Sequence, residues 1–152
     1  MNSNTQPVVK DVVLVGAGHA HITVLRKFGM KPMPGVRFTL ISRKLHTPYS
    51  GMLPGLIAGL YRFDQAHIDA GPLARFAGAR LYQDEVTGLD IDTRRVICRH
   101  RPPIQFDILS LNIGSTPNTA NVPGAHNHAI PVKPIDGFLA HFDALKQRVL
   151  ER

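Results

Sequence analysis

From Val8 to Val15 every position is apolar except Lys10 and Asp11. Near-continuous apolar character predicts a strand covered on both faces, as in a parallel sheet. The period changes from Ala17 to Phe28, where Ile22, Leu25 and Phe28 fall on one helical face. Gly29 and the "KPMPG" behind it end that helix. Val36 to Ile41 is a second strand candidate. Strand, helix and strand within about 30 residues make a βαβ unit, whose two strands lie parallel.

Further along, "SRKLHTPYSGMLPG" predicts a loop opening into a short helix over Leu53 to Ile57. Asp69 is placed to cap a helix running to Ala77, with Pro72 in its first turn. Arg80 to Tyr82 is a short strand. Val86 to Ile91 and Arg95 to Arg99 are two β-like runs joined tightly through "DTRR". They predict an antiparallel flap before Phe106 to Gly114 returns to the parallel sheet. Pro134 to Leu150 predicts a last helix, with Phe138, Leu139, Phe142, Leu145 and Val149 as its apolar face. The expected fold class is α/β and Rossmann-like, a parallel sheet with helices on both faces and a small antiparallel β flap. Residues 1–7 are read as a flexible tail and 8–152 as one domain.

Composition changes this picture little. The 152 residues suffice for one domain with a sizeable core. A net charge of +7 would attract acidic partners in general. The arginines are scattered and aromatics are sparse, so no nucleic-acid partner is expected. Cys98 is the single cysteine, which excludes an internal disulfide and a paired-cysteine redox centre. "MNSNTQPVVKD" lacks an apolar signal core, and no apolar run approaches a membrane span. A cytoplasmic chain is the expectation.

The candidate chemistry begins in "GAGHAH". Gly16 permits a tight turn off the first strand. Gly18 lets backbone approach a pyrophosphate, and the helix behind it aims unpaired N–H groups at the anion. The neutral Ala17 and Ala20 suit a site built from backbone. His19 lies nearest the phosphate. His21 stands where a third glycine is usual; its side chain either reaches the cofactor or packs and donates to backbone. No carboxylate follows the second strand, where "SRK" stands instead. Either a nicotinamide cofactor's 2′-phosphate meets Arg43 or Lys44, or a flavin's ribose uses Ser42 or backbone groups. The βαβ unit alone does not choose between them.

"HTPYSGMLPG" together with "LSLNIGSTP" resembles the start of pyridine nucleotide–disulfide oxidoreductase-like flavoproteins. The branch it is most similar to is related to type II NADH dehydrogenases. Within that branch it resembles the selenide, water dikinase-associated NADH dehydrogenase-like proteins. The resemblance runs from Val12 to about Leu150. It implies FAD as cofactor, with its pyrophosphate at Gly16, Gly18 and the departing His21. It implies a flavin-facing loop from His46 to Gly55, including Pro48, Tyr49, Ser50, Gly51 and Met52. It implies a backbone contact to adenine near Glu85 and Val86, and a glycine turn beside the flavin at Gly114, Ser115, Thr116 and Pro117. Lys133 is a further candidate near the flavin, or a solvated lysine.

The resemblance also implies NAD(P)H as the reductant of the complete enzyme, an acceptor such as a quinone, and peripheral contact with a membrane. The family's NAD(P)H-binding domain does not fit in this length, so the chain is read as an N-terminal FAD-binding part. Apolar surface left open by the missing domains would favour association, for example a homodimer. The alternatives are an NADP-binding module and a catalytically inactive structural fragment. No residue is read as catalytic, since flavin chemistry needs no protein nucleophile. His126 and His128 lie in a loop without a third ligand, and no metal is expected. Asp64, His67 and Asp69 are read as local hydrogen-bonding groups, and Cys98 as structural.

Overall fold

A computed structural model describes residues 7–115, 118–119 and 121–151. The chain divides into two units, 1–113 and 114–152. The first holds a four-stranded sheet of β1 (Lys10–Val15), β2 (Val36–Ser42), β5 (Arg80–Gln83) and β9 (Ile108–Leu111), in the order β5-β2-β1-β9. Every pairing is parallel. Val12 lies opposite Phe38 on one side and Ile108 on the other.

Alternation along the strands divides the core into two layers. Leu14, Phe38 and Leu40 pack with Leu25 of α1 (His19–Met30) and with Ala70 of α4 (Ala70–Phe76). Val13, Val15 and Ile41 face the other way, against Val96 and Cys98. Those two belong to β7 (Arg95–Cys98), the middle strand of an antiparallel sheet with β6 (Val86–Asp90) and β8 (Ile104–Gln105). On that face the cover within the first unit comes from strands, where the sequence reading placed helices as well. Both faces are thus buried, which is why β1 and β2 are largely apolar, interrupted only by Lys10 and Asp11 in β1 and by Arg37, Thr39 and Ser42 in β2.

The remaining elements of this unit form one linked excursion. β3 (His46–Pro48) leads through a 3-10 turn at Ser50–Met52 into α2 (Leu53–Ile57) and α3 (Phe63–Ala66). β4 (His67–Asp69) then pairs antiparallel with β3. The Asp69 carboxylate accepts from the Gly71 N–H at 2.8 Å and caps α4 as its sequence predicts.

The second unit contains α5 (Ala125–His128) and α6 (Ile135–Leu150). α5 corrects the reading of this segment as a loop: its histidines occupy one short helical turn. In α6, Ile135 is buried, while Leu145, Val149 and Leu150 are exposed. Among the described residues no helix is long and apolar enough to cross a membrane.

Candidate functional site

Three parallel strands end together around the glycine turn. The Gly16 N–H donates to the Ile41 carbonyl at the end of β2 at 2.7 Å. On the other side, the Asn112 N–H donates to Val15 at 2.8 Å. Gly16 has φ +89°, a conformation that only glycine adopts without strain. A Cβ at Gly16 would lie 2.8 Å from the Asn112 carbonyl carbon and closer still to its oxygen. Gly18 has ordinary extended angles, so its requirement is one of space. A Cβ there would lie 2.9 Å from the Asn112 carbonyl oxygen and overlap the side-chain amide.

Gly18 is the N-cap of α1, and the Ile22 N–H makes the first helical bond to the Gly18 carbonyl at 3.0 Å. The amides of His19, Ala20 and His21 precede that bond and lack helical acceptors. No side chain caps this end, and its first turn carries no acidic residue. His19 and Ala20 are exposed. The partial positive charge of the helix end is therefore open to an anion.

The turn's carbonyls are disposed of separately. His21 is 1% exposed, and its Nδ1 lies 2.6 Å from the Gly16 carbonyl oxygen. Its Nε2 lies 2.9 Å from Ser110 Oγ. A carbonyl can only accept, so Nδ1 carries the proton. Burial lowers the imidazole pKa, against the opposing pull of the Gly16 carbonyl. The ring is therefore neutral, and Nε2 accepts from the Ser110 hydroxyl. Both ring nitrogens are engaged, which is the inward alternative anticipated for this residue. The next carbonyl, that of Ala17, accepts from the Thr47 hydroxyl of β3.

That bond brings the excursion beside the helix end. Tyr49 meets His19 edge to face at 5.3 Å between ring centroids. The Tyr49 N–H donates to Ala66 at 2.9 Å, which ties the loop to α3. Pro48 and Met52 are half-buried, while Tyr49, Ser50 and Gly51 are exposed. Residues 16–21 and 48–52 thus form one locality.

Beyond β2, Ser42 is buried and its hydroxyl donates to the Lys44 carbonyl at 2.6 Å. Arg43 and Lys44 are exposed. Next to this end of β2, the Asp84 N–H donates to Ser42 at 3.2 Å. The Asp84 side chain is fully buried. It accepts from Arg101 Nε at 2.8 Å, the Glu85 N–H at 2.7 Å and the His100 ring at 3.1 Å. Burial alone would raise its pKa; the bonds from Arg101, Glu85 and His100 outweigh this and hold it at about 2. Asp84 thereby fixes the exit of β5, from which half-buried Val86 enters the flap and pairs with Cys98. Burial raises the pKa of the Cys98 thiol, and nearby Asp84 adds to the effect. This suits a packing role rather than a reactive thiolate.

The depressed carboxylate has a measurable sign. Its stabilisation is complete above the unfolded value of 3.8 and disappears as pH falls through about 2. Asp84→Asn should therefore unfold at lower urea than the native chain at neutral pH, and the gap should close across that acid window. A gap independent of pH would contradict the role given to the charge.

In the second unit, Gly114 and Ser115 are exposed, and Lys133 Nζ donates to Ser115 Oγ at 3.4 Å. Thr116 and Pro117 lie outside the described residues. His67 bonds to the Phe63 carbonyl and Asp64 to Arg62, so neither serves the other. Sequence reasoning placed Thr47 in the His46–Gly55 loop without foreseeing its bond to Ala17, and it missed Asp84, Ser110 and Asn112. Ser110 and Asn112 carried a usable signal: two polar residues on one face of an otherwise apolar strand require partners.

The model of the pyridine nucleotide-disulphide oxidoreductase family matches residues 10–150. The chain belongs to this family. Among curated members, it is 27% identical over 133 residues to the NADH dehydrogenase-like protein YutJ of Bacillus subtilis (strain 168), covering 84% of this chain and 36% of that one. It is 23% identical over 150 residues to the mitochondrial external alternative NAD(P)H-ubiquinone oxidoreductase B4 of Arabidopsis thaliana, covering 91% and 25%. The fold matches the sulfide:quinone oxidoreductase of Aquifex aeolicus with a TM-score of 0.65 at 22% identity, over 78% of this chain and 27% of the other. It matches NDH2 of Plasmodium falciparum with a TM-score of 0.65 at 19% identity, over 79% and 25%. The chain thus spans little more than a third of the longest-covered of these relatives.

Proposed function

We propose that this chain is the FAD-binding part of an NAD(P)H-dependent flavoprotein oxidoreductase that passes electrons through flavin to an acceptor such as a quinone. The observation that carries this reading is the uncapped start of α1, with both preceding carbonyls bonded elsewhere, in a member of this family. Its fit to a pyrophosphate is chemical: amide donors at a helix start whose first turn carries no acidic residue.

In this reading the amides of Gly18, His19 and Ala20 hold the pyrophosphate, and Gly16, Ala17 and His21 shape the turn. Ser42, Arg43 and Lys44 serve the ribose and adenine side, and backbone at Val86 meets the adenine. Pro48, Tyr49, Ser50, Gly51 and Met52 border the flavin. Gly114, Ser115, Thr116, Pro117 and Lys133 complete its surroundings. Bound flavin supplies the hydride and electron chemistry; the protein positions it and shields it from water. A complete enzyme adds the NAD(P)H-binding domain and touches the membrane surface peripherally. Alone, the chain covers its open apolar surface by dimerising.

The lack of an acid after β2, with Arg43 exposed there, supports NADP as the second reading. Titrating the purified chain anaerobically with FAD and with NADPH separates the two. Saturable FAD binding is expected, with Gly18→Ala weakening it about tenfold, or about 1.4 kcal/mol, while far-ultraviolet dichroism is retained. NADPH binding that depends on Arg43 and Lys44, without FAD binding, would favour the second reading. No affinity for either leaves a structural fragment.

A further inference from the structure

A second site begins at the opposite ends of the same strands and runs along β5 beneath the flap to Arg101. Asp11 precedes Gly16 by five residues on β1, about 17 Å of extended chain. Around it is a cavity of about 600 Å³ between the N-terminal part of the sheet and the flap. One wall is aromatic and apolar, from Tyr82, Ile104 and Phe106 with the Pro102-Pro103 pair. The other carries Arg37, Arg80 and Arg101.

Each guanidinium is held from behind. Arg37 grips Asp11 through Nε at 2.6 Å and Nη2 at 2.7 Å. Arg80 donates from Nε at 3.0 Å and Nη2 at 2.7 Å to the Thr39 hydroxyl, and its Nη2 lies 3.4 Å from Asp11. Arg101 uses Nε on Asp84 and lies over the Tyr82 ring at 4.2 Å. These bonds leave out Nη1 of all three arginines and Nη2 of Arg101. The carboxylates lining the cavity are engaged as well. Asp11 takes the arginines, and Asp107 accepts from the Asp11 N–H at 2.7 Å with Lys10 at 3.6 Å. Three arginines and Lys10 stand against Asp11, Asp107 and Asp84, so the locality keeps one excess positive charge.

We propose that this cavity binds a small planar organic anion, an aromatic carboxylate. The carboxylate would take the remaining guanidinium donors, whose fork geometry matches two oxygens. The ring would lie against Phe106 and the two prolines. Anchored arginines lose little freedom on binding, so each contact contributes more than a loose surface lysine would. The site is separate from the glycine turn and does not depend on the FAD assignment.

Titration of the full chain with 2-naphthoate, followed by backbone and arginine side-chain NMR, tests this. Saturable shifts are expected at Arg37, Tyr82, Arg101 and Phe106, unchanged by saturating ADP. The neutral isostere 2-naphthamide should bind about tenfold more weakly. Pro103→Glu places a carboxylate on the exposed rim and should weaken naphthoate by a similar factor, with the fold intact by dichroism. Arg80→Met should act in the same direction, and the rim variant decides the matter if it does not fold. Equal affinity for acid and amide, displacement by ADP, indifference to the rim charge, or no saturable shifts would each overturn the proposal.

Discussion

Gly16→Ala is expected to lower unfolding stability by roughly 2–6 kcal/mol. Two costs add. A non-glycine residue at φ +89° carries left-handed strain of about 1–3 kcal/mol. Its Cβ would also press on the backbone carbonyl of Asn112, and backbone, unlike a side-chain tip, cannot swing aside. Overpacking of this kind costs about 1–3 kcal/mol. Since the Asn112 N–H is bonded to Val15, relief would require β9 to move away from β1. For a domain of this size, the melting temperature should fall by something on the order of 10 °C. Urea unfolding of both proteins measures the difference directly. A loss under about 1 kcal/mol would mean that strand and turn are not apposed as described.

His21→Ala should be nearly as damaging, about 3 kcal/mol at neutral pH, and in a pH-dependent way. The substitution removes a buried ring and leaves the Gly16 carbonyl and the Ser110 hydroxyl without their partner. Burial lowers the pKa of the native imidazole below its ordinary 6.5. The unfolded chain therefore binds this proton first, and stability drawn from His21 falls as pH decreases below about 6.5. The difference between native chain and variant should be larger at about pH 7.5 than at about pH 5. Comparing the two proteins cancels the contributions of the other histidines. A constant difference would show that the ring accepts its second proton without penalty, and the tautomer assigned above would be wrong.

Local signals carried much of the fold. The apolar runs of β1 and β2, the cap at Asp69 and the proline behind it each state their own structure within a few residues. β4 and β8 were silent because strands of three and two residues are too short to show a period. α5 was misread for a related reason: one turn of helix has no apolar face to declare itself. At the site, Gly16 was legible because its positive φ in the turn is a local demand. The reason for Gly18 was only half visible, since its neighbour Asn112 comes 94 positions later. His21 posed the sharpest question. Its answer depended on Ser110, 89 residues away, and on a carbonyl that every sequence possesses. The β3 hydroxyl at Thr47 was hidden similarly, because a threonine in a loop has many possible acceptors.

The bonds made by His21 and Thr47 bear on how such a cradle manages without a lysine or arginine of its own. Peptide groups are dipoles, and a sharp bend usually presents both poles to whatever sits in it. Here the negative poles at positions 16 and 17 are drawn off by an imidazole and an alcohol. What remains facing outward has a single sign. For the pyrophosphate proposed above, selectivity can then come from orientation of the main chain, with no counter-charge to be desolvated when a guest arrives.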